Sequence, residues 1–277
     1  MPLRGRGANY TRARHVVEWT LATAYRGDWP ARMVHALGMQ RRVRVREHRV
    51  SPARWSGAPM RIAFASDLHA GPTTHPTVLD EAFAALAAAE PDVLMLGGDY
   101  VFLSADHIDE VSRRLAQLPR PPLGIFAVMG NHDLWADDAA IATSLERAGA
   151  RVLVNERVDL GGVALVGLDD PWTGARVEPP FRDDDAVRVL LVHAPEAMLY
   201  LADSQFDLAL CGHTHGGHIA LPGGVPILVP GPASRRFAHG RYELRNGTLI
   251  VSRGVGSTEV ALRLNADPDV LVVELSE

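Results

Sequence analysis

The chain has 277 residues, 47% of them hydrophobic, enough for one full core plus an appendage. Its single cysteine, Cys211, excludes an intramolecular disulfide and a thiolate-based metal site, and the absence of lysine excludes a Schiff base or a Walker-type phosphate lysine. The net charge of −5 is uneven: residues 1–54 hold twelve Arg against Glu18, Asp28 and Glu47, a balance of +9, and the remainder carries −14.

In chain order, residues 1–58 read as a basic N-terminal extension and 59–277 as the main domain. Val16, Val17, Leu21 and Ala24 are spaced as on a helix. Trp29-Pro30 opens a second helix that Gly38 stops, and Val43, Val45 and Val50 alternate with Arg as in a strand. This extension fits either a helical strap packed on the main domain or an amphipathic element on an anionic membrane surface, reached through residues 1–54. No stretch approaches the roughly 20 apolar residues of a membrane span, and no secretory signal pattern is present. The expected location is the cytoplasm, with peripheral contact at the inner membrane surface. A Pro/Gly/Ser linker covers 51–59.

From residue 60, short apolar strands alternate with helices: strands at 61–65, 92–96 and 124–129, and helices at 77–89, 105–118 and 137–148. A βαβαβα order favours a buried parallel sheet with ligands beyond the carboxyl ends of its strands. After residue 151 the pattern is mostly β. Strands are expected at 152–154, 163–166, 187–192, 207–210 and 270–275, with a short helix at 195–202. Residues 241–251 read as a hairpin whose Asn246-Gly247 supplies the positive φ angles of a tight turn. The fold class is α/β: two sheets face to face, covered by helices, with an N-terminal helical extension.

Four strand ends carry the chemistry. Asp67-Leu68-His69, Gly97-Gly98-Asp99, Gly130-Asn131-His132-Asp133 and Gly212-His213-Thr214-His215-Gly216-Gly217-His218 each follow an apolar run, and His193 follows another. In an extended segment His213 and His215 leave the same face. Asp67, His69, Asp99, Asn131, His193, His213 and His215 make seven oxygen and nitrogen donors, too many for one ion and suited to Mn, Fe or Zn. With Asp99 bridging they divide into two sites of four, and a pair of ions roughly 3.5 to 4 Å apart clamps both oxygens of a phosphate displacement. Neutral Asn131 leaves a surplus of about +1 after a hydroxide is counted, which attracts an anionic phosphate.

Together these motifs resemble the calcineurin-like metallophosphoesterase superfamily over residues 60–277. The GHTHGG run, the His193-Ala194-Pro195-Glu196 segment and the ending from Arg263-Leu264-Asn265 are similar to a bacterial subgroup of small phosphohydrolases. Its members often associate with membranes, and some relatives cleave UDP-diacylglucosamine.

The resemblance implies a four-layer αββα sandwich of two mixed sheets. It implies one metal on Asp67, His69, Asp99 and His215, and a second on Asp99, Asn131, His193 and His213. His132 would donate a proton to the leaving oxygen or contact the phosphate, and water between the metals would be the nucleophile. His218, where the subgroup usually has Gln, is a further substrate-binding candidate.

Protein Ser/Thr phosphatases have an acid three residues after the bridging Asp; here that residue is Phe102, so this reading loses weight. Purple acid phosphatases have an iron-binding Tyr there, whereas Tyr100 is adjacent to Asp99.

The expected function is a dinuclear-metal phosphodiesterase or nucleotide-lipid pyrophosphatase. The alternatives are a phosphomonoesterase or nuclease on the same centre, or a non-catalytic scaffold. Nucleic acid is not favoured as a partner, because Trp19, Trp29 and Trp55 are not interleaved with Arg. Asp133 fits a helix-start residue. His75, His107, His239, Arg235, Arg236 and Arg253 fit the surface.

Overall fold

Two six-stranded sheets carry the chain in a computed structural model that describes residues 7–183 and 185–277. The elements in order are α1 (Arg12–Ala24), α2 (Trp29–Ala36), β1 (Arg44–Val50), β2 (Met60–Ala65), α3 (Pro76–Ala88), β3 (Val93–Leu96), α4 (Ile108–Gln117) and β4 (Ile125–Ala127). There follow α5 (Asn131–Ala136), α6 (Asp138–Arg147), β5 (Arg151–Val152), β6 (Glu156–Asp159), β7 (Val163–Gly167), β8 (Val187–Leu191) and β9 (Leu208–Cys211). The chain ends with β10 (Ala220–Leu221), β11 (Val225–Pro226), α7 (Pro232–Arg236), β12 (Gly240–Leu244), β13 (Gly247–Val251) and β14 (Asp269–Leu275).

The first sheet runs β1-β14-β2-β3-β4-β5 and the second β12-β13-β9-β8-β7-β6. Strands β2 to β5 are mutually parallel, as are β7, β8, β9 and β13, while β14 pairs antiparallel with β2 and β6 with β7. Both sheets are therefore mixed. Their facing sides interdigitate through Ile62, Phe64, Met95 and Val128 on one and Leu165, Val189, Leu191 and Leu210 on the other. Each such buried side chain stabilises the fold by about 1.5–3 kcal/mol.

Helices α3, α4 and α6 cover the outer side of the first sheet, with α4 burying Ile108, Val111 and Leu115 along one stripe. A 3-10 turn at Pro195–Leu199 and the short α7 cover the outer side of the second. This is the four-layer αββα sandwich.

Three local features differ from the sequence reading. First, β1 lies within the span assigned to the extension yet forms the edge of the first sheet, parallel to β14 from Arg44↔Asp269 to Val50↔Leu275. Two of its arginines reach carboxylates on that neighbour, Arg46 to Asp269 and Arg49 to Glu274.

Second, β6 was not foreseen. The span between the strands expected at 152–154 and 163–166 carries no assignment from sequence, and it pairs with β7 as a polar edge strand.

Third, the 240–251 hairpin turns on Arg245-Asn246, between the paired Leu244 and Gly247, and Asn246 does not take a positive φ. Instead the Asn246 side chain donates to the Leu201 and Ser204 carbonyls, and a Cβ at Gly247 would sit 2.1 Å from the Phe206 oxygen. Gly247 does take a positive φ, 147°, so the expected turn chemistry holds at the glycine, while tertiary contacts select Asn246.

The extension docks by polar contacts around residues 7–25 and by burial of Pro30, Ala31 and Val34 in α2. Gly7 N donates to the Leu134 carbonyl, and Ala8 N to the Thr173 carbonyl. Residues 1–6, part of the expected basic arm, lie outside the described residues. No helix among the described residues is long and apolar enough to cross a membrane.

Candidate metal centre

Every motif follows a strand: Asp67 and His69 follow β2, Asp99 follows β3, Asn131 and His132 follow β4, His193 follows β8, and His213 and His215 follow β9. The two sheets thus point their loops at one place. Reaching it strains the backbone. Asp67, His69, Asp99, His213 and His215 all adopt positive φ, between 41° and 70°. Such conformations are uncommon for non-glycine residues and collect where a site overrides local preference.

The side chains form two adjoining groups, and a third, His69, Asp99 and His132, overlaps both. Asp67, His69 and His215 offer ligand atoms within 4.8 Å of one another, and so do Asp99, His193 and His213. His69 Nε2 is 3.2 Å from His215 Nε2, and His215 Nε2 is 3.5 Å from Asp67 Oδ1. Asp99 Oδ2 faces both groups, 3.2 Å from His193 Nε2 and 3.5 Å from His69 Nε2, while its Oδ1 accepts the His132 backbone N–H. Asn131 is buried beside them, and its Oδ1 has no hydrogen-bond partner. His213 and His215 do not stand side by side on an extended segment as expected. His215 opens a 3-10 turn, and the two rings serve different groups.

The donors fit divalent ions. His193 Nδ1 donates to the Gly97 carbonyl at 2.7 Å and His69 Nδ1 to the Val101 carbonyl at 3.3 Å. A carbonyl only accepts, so in the neutral form of each ring Nε2 presents a lone pair inward. His213 Nε2 is buried without a partner, while its Nδ1 lies 3.2 Å from His193 Nε2. Lone pairs and carboxylates crowded together in a buried space require a cation. His215 is the exception: its Nδ1 meets the buried guanidinium of Arg263 at 3.0 Å, a donor, so Nε2 ligation requires that bond to open.

Burial lowers the pKa of His69, His213 and His215, His213 to about 3. Burial raises Asp67. Burial would also raise Asp99, but His193 and His132 hold it well below the usual carboxylate range. In return Asp99 raises His193 against its burial.

Two glycines let the backbone approach. A Cβ at Gly130 would meet Asp99 Oδ1 at 2.2 Å, and one at Gly212 would meet Asp67 Oδ2 at 2.1 Å. Asp133, in the first turn of α5, accepts N–H groups from Asp99, Tyr100 and Gly130, so it sets the loop that aims Asp99.

A cavity of about 770 Å³ opens over Asp99, Asn131, His132, His213 and His215. His132 is packed among His69, Phe102 and Trp135, with ring centres 4.9, 5.5 and 5.1 Å away. His218 lines the same cavity, edge-on to His215 at 4.4 Å. The far side is apolar, and Ile227 and Leu228 are 63% and 75% exposed. Away from the cluster, His75 caps α3 and stacks on His35 at 3.9 Å, and His107 pairs with Glu110. His239 bonds the Gly224 carbonyl, and Arg253 N donates to Asp269.

Sequence reasoning missed Asp170, Arg263, Arg14 and Glu259. The buried Asp170 carboxyl, pushed up to about 7 by burial, accepts from Trp172 N and Thr173 N and leaves Oδ1 unpartnered. Its one signal was position, directly after β7 like the other motifs. The rest are brought in by tertiary structure.

Strand-end loops from two facing sheets that collect carboxylates and imidazoles around an open cavity define a metal-dependent phosphoester hydrolase. The sequence profile of calcineurin-like phosphoesterases matches residues 60–217, and the chain belongs to that family. It is 32% identical to "Phosphodiesterase YaeI" of Escherichia coli over 82% of this chain and 86% of that protein. It is 33% identical to an uncharacterized metallophosphoesterase of Aquifex aeolicus, over 79% and 86%. Among solved structures, a dimetal phosphatase from Danio rerio aligns with a TM-score of 0.46 and 12% identity, covering 71% of this chain and 88% of that one. The family uses a dinuclear divalent metal centre and acts on phosphoesters.

Proposed function

We propose that this chain hydrolyses phosphodiesters or the pyrophosphate of an amphiphilic nucleotide, and that Asp67, His69, Asp99, Asn131, His193, His213 and His215 hold two divalent ions, Mn, Fe or Zn. The observation that carries this is Asp99 Oδ2 facing both groups of donors at 3.2 and 3.5 Å. Ions bound there lower the pKa of coordinated water to roughly 7 and offset charge on the phosphoryl oxygens. His132, fixed by its backbone bond to Asp99, donates to a phosphoryl or leaving oxygen. His218 contacts the substrate from the rim.

A diester or pyrophosphate is favoured over a monoester because the cavity runs from the polar cluster to an apolar wall at Ile227, Leu228, Val229 and Val260, room for a large second substituent. YaeI's description as a phosphodiesterase points the same way. The test is turnover with Mn of bis-p-nitrophenyl phosphate against p-nitrophenyl phosphate. Preference for the diester, lost in Asn131→Ala, is expected; activity surviving that change defeats the assignment.

We further propose that the helical part of residues 1–58, α1 and α2, rests on an anionic membrane surface, while β1 of the same span belongs to the sheet of the catalytic unit of 59–277. Val16, Val17 and Trp19 of α1 and Trp29 and Met33 of α2 are exposed, within a segment of net charge +9 through residue 54.

A further inference from the structure

The cavity over the histidines has to admit an anion, yet a carboxylate stands in its wall. Glu259 lines the same space as Asp99, Asn131, His132 and His215, with 41% of its side chain exposed. With a guanidinium nitrogen of Arg14 2.8 Å from its Oε1, this carboxylate is ionised at neutral pH. A bare negative charge there opposes entry of a phosphate group.

The compensating charge comes from the N-terminal extension. Arg14, on the inner side of α1, places Nη1 2.8 Å from Glu259 Oε1. Its Nε donates to Glu18 Oε1 at 2.9 Å, and Tyr10 OH donates to the other Glu18 oxygen. The guanidinium carbon lies 5.0 Å from the centre of the Trp135 ring, the same ring that packs on His132. Tyr25 OH fixes the Glu259 carbonyl at 2.9 Å. Helix α1 therefore grips Glu259 by side chain and backbone, although it buries no residue fully.

We propose that Arg14 is a positioning residue acting through Glu259: shared between Glu18 and Glu259, it offsets part of their charge and holds the Glu259 carboxylate, so that the cavity's affinity for phosphoester anions depends on this guanidinium. This rests on the reading of the histidine cluster as the phosphoester centre. It makes the extension part of the active site, and it ties substrate affinity to a segment outside the 60–217 family match.

The test uses the full-length, Mn-loaded protein as wild type, Arg14→Gln, Arg14→Lys, Glu259→Gln and the double variant Arg14→Gln/Glu259→Gln. Inorganic phosphate binding is measured by calorimetry, and KM and kcat with bis-p-nitrophenyl phosphate. At low ionic strength, Arg14→Gln raises the phosphate Kd and the KM by about five- to tenfold with kcat nearly unchanged, an effect that shrinks in salt. Arg14→Lys keeps most of the affinity, and the double variant recovers it because the repelling charge is gone.

If Arg14→Gln lowers Tm but leaves Kd and KM unchanged, Arg14 is only a clamp and the proposal is overturned. A double variant as weak as Arg14→Gln also overturns it, since Arg14 would then touch the substrate itself. Wild type that neither binds phosphate nor turns over a phosphoester refutes the reading of the centre, and this inference with it.

Discussion

Asp133 holds Asp99 in place: its Oδ2 accepts the Asp99 backbone N–H at 2.7 Å, beneath the carboxylate that faces both donor groups. The same side chain also accepts from Tyr100 N and Gly130 N, so one buried carboxylate fixes the ends of two strand loops. Removing it leaves three buried N–H groups unpaired. Asp133→Ala should therefore destabilise the protein by about 3 kcal/mol or more, read as a lower urea midpoint. An unchanged midpoint would show that these loops are held by other means.

Close approach at Gly212 gives a sharper effect on the site than on the fold. A Cβ there collides with Asp67 Oδ2 and with Ser66 Oγ, both at 2.1 Å. Gly212→Ala should weaken Mn affinity by about ten- to a hundredfold, the scale expected when a ligand's supporting geometry is disturbed. Electron paramagnetic resonance of titrated Mn checks this, and wild-type affinity in the variant would contradict it.

Far from the centre, Arg157 and Asp185 form a pair that sets part of the acid sensitivity. Asp185 is buried, accepts from Arg157 Nε and from Arg182 N, and its pKa is lowered chiefly by the Arg157 hydrogen bond. A folded pKa below the unfolded value of about 4 means the unfolded chain binds the proton first as pH falls. The stabilisation is complete above that value and is lost as pH falls from there through the lower folded pKa. Asp185→Asn should lower Tm at pH 7, and the gap to wild type should narrow by pH 3. A gap that stays constant would remove Asp185 from the account.

For the extension, flotation with anionic and neutral vesicles is the direct assay. Binding to anionic vesicles that falls with salt, and falls further in Trp19→Ser, is expected from apolar insertion plus charge. Equal recovery on neutral vesicles would argue against an anionic surface as the partner.

Much of this was legible because a parallel strand buried on both sides is an uninterrupted apolar run, and a motif directly behind it lies at the ligand-binding end. Asp67, Asp99, Asn131, His193 and His213 could be placed that way. The resemblance already divided His213 and His215 between two ions; what could not be read was conformation within the loops, the positive φ of both residues through which the chain reaches that division. The polar edge strand β6 and the side-chain-stitched turn at Asn246 also follow from neighbours distant in sequence. Arg14 and Glu259 are 245 residues apart, and no local pattern marks them as a pair.

The metal content of Mn-supplemented protein, compared between wild type and Asp99→Ala, tests the central claim most directly. Two ions per wild-type chain, and loss of at least one together with turnover in the variant, is the predicted result. Wild type without metal, or a variant that keeps both ions, would contradict a centre shared through Asp99.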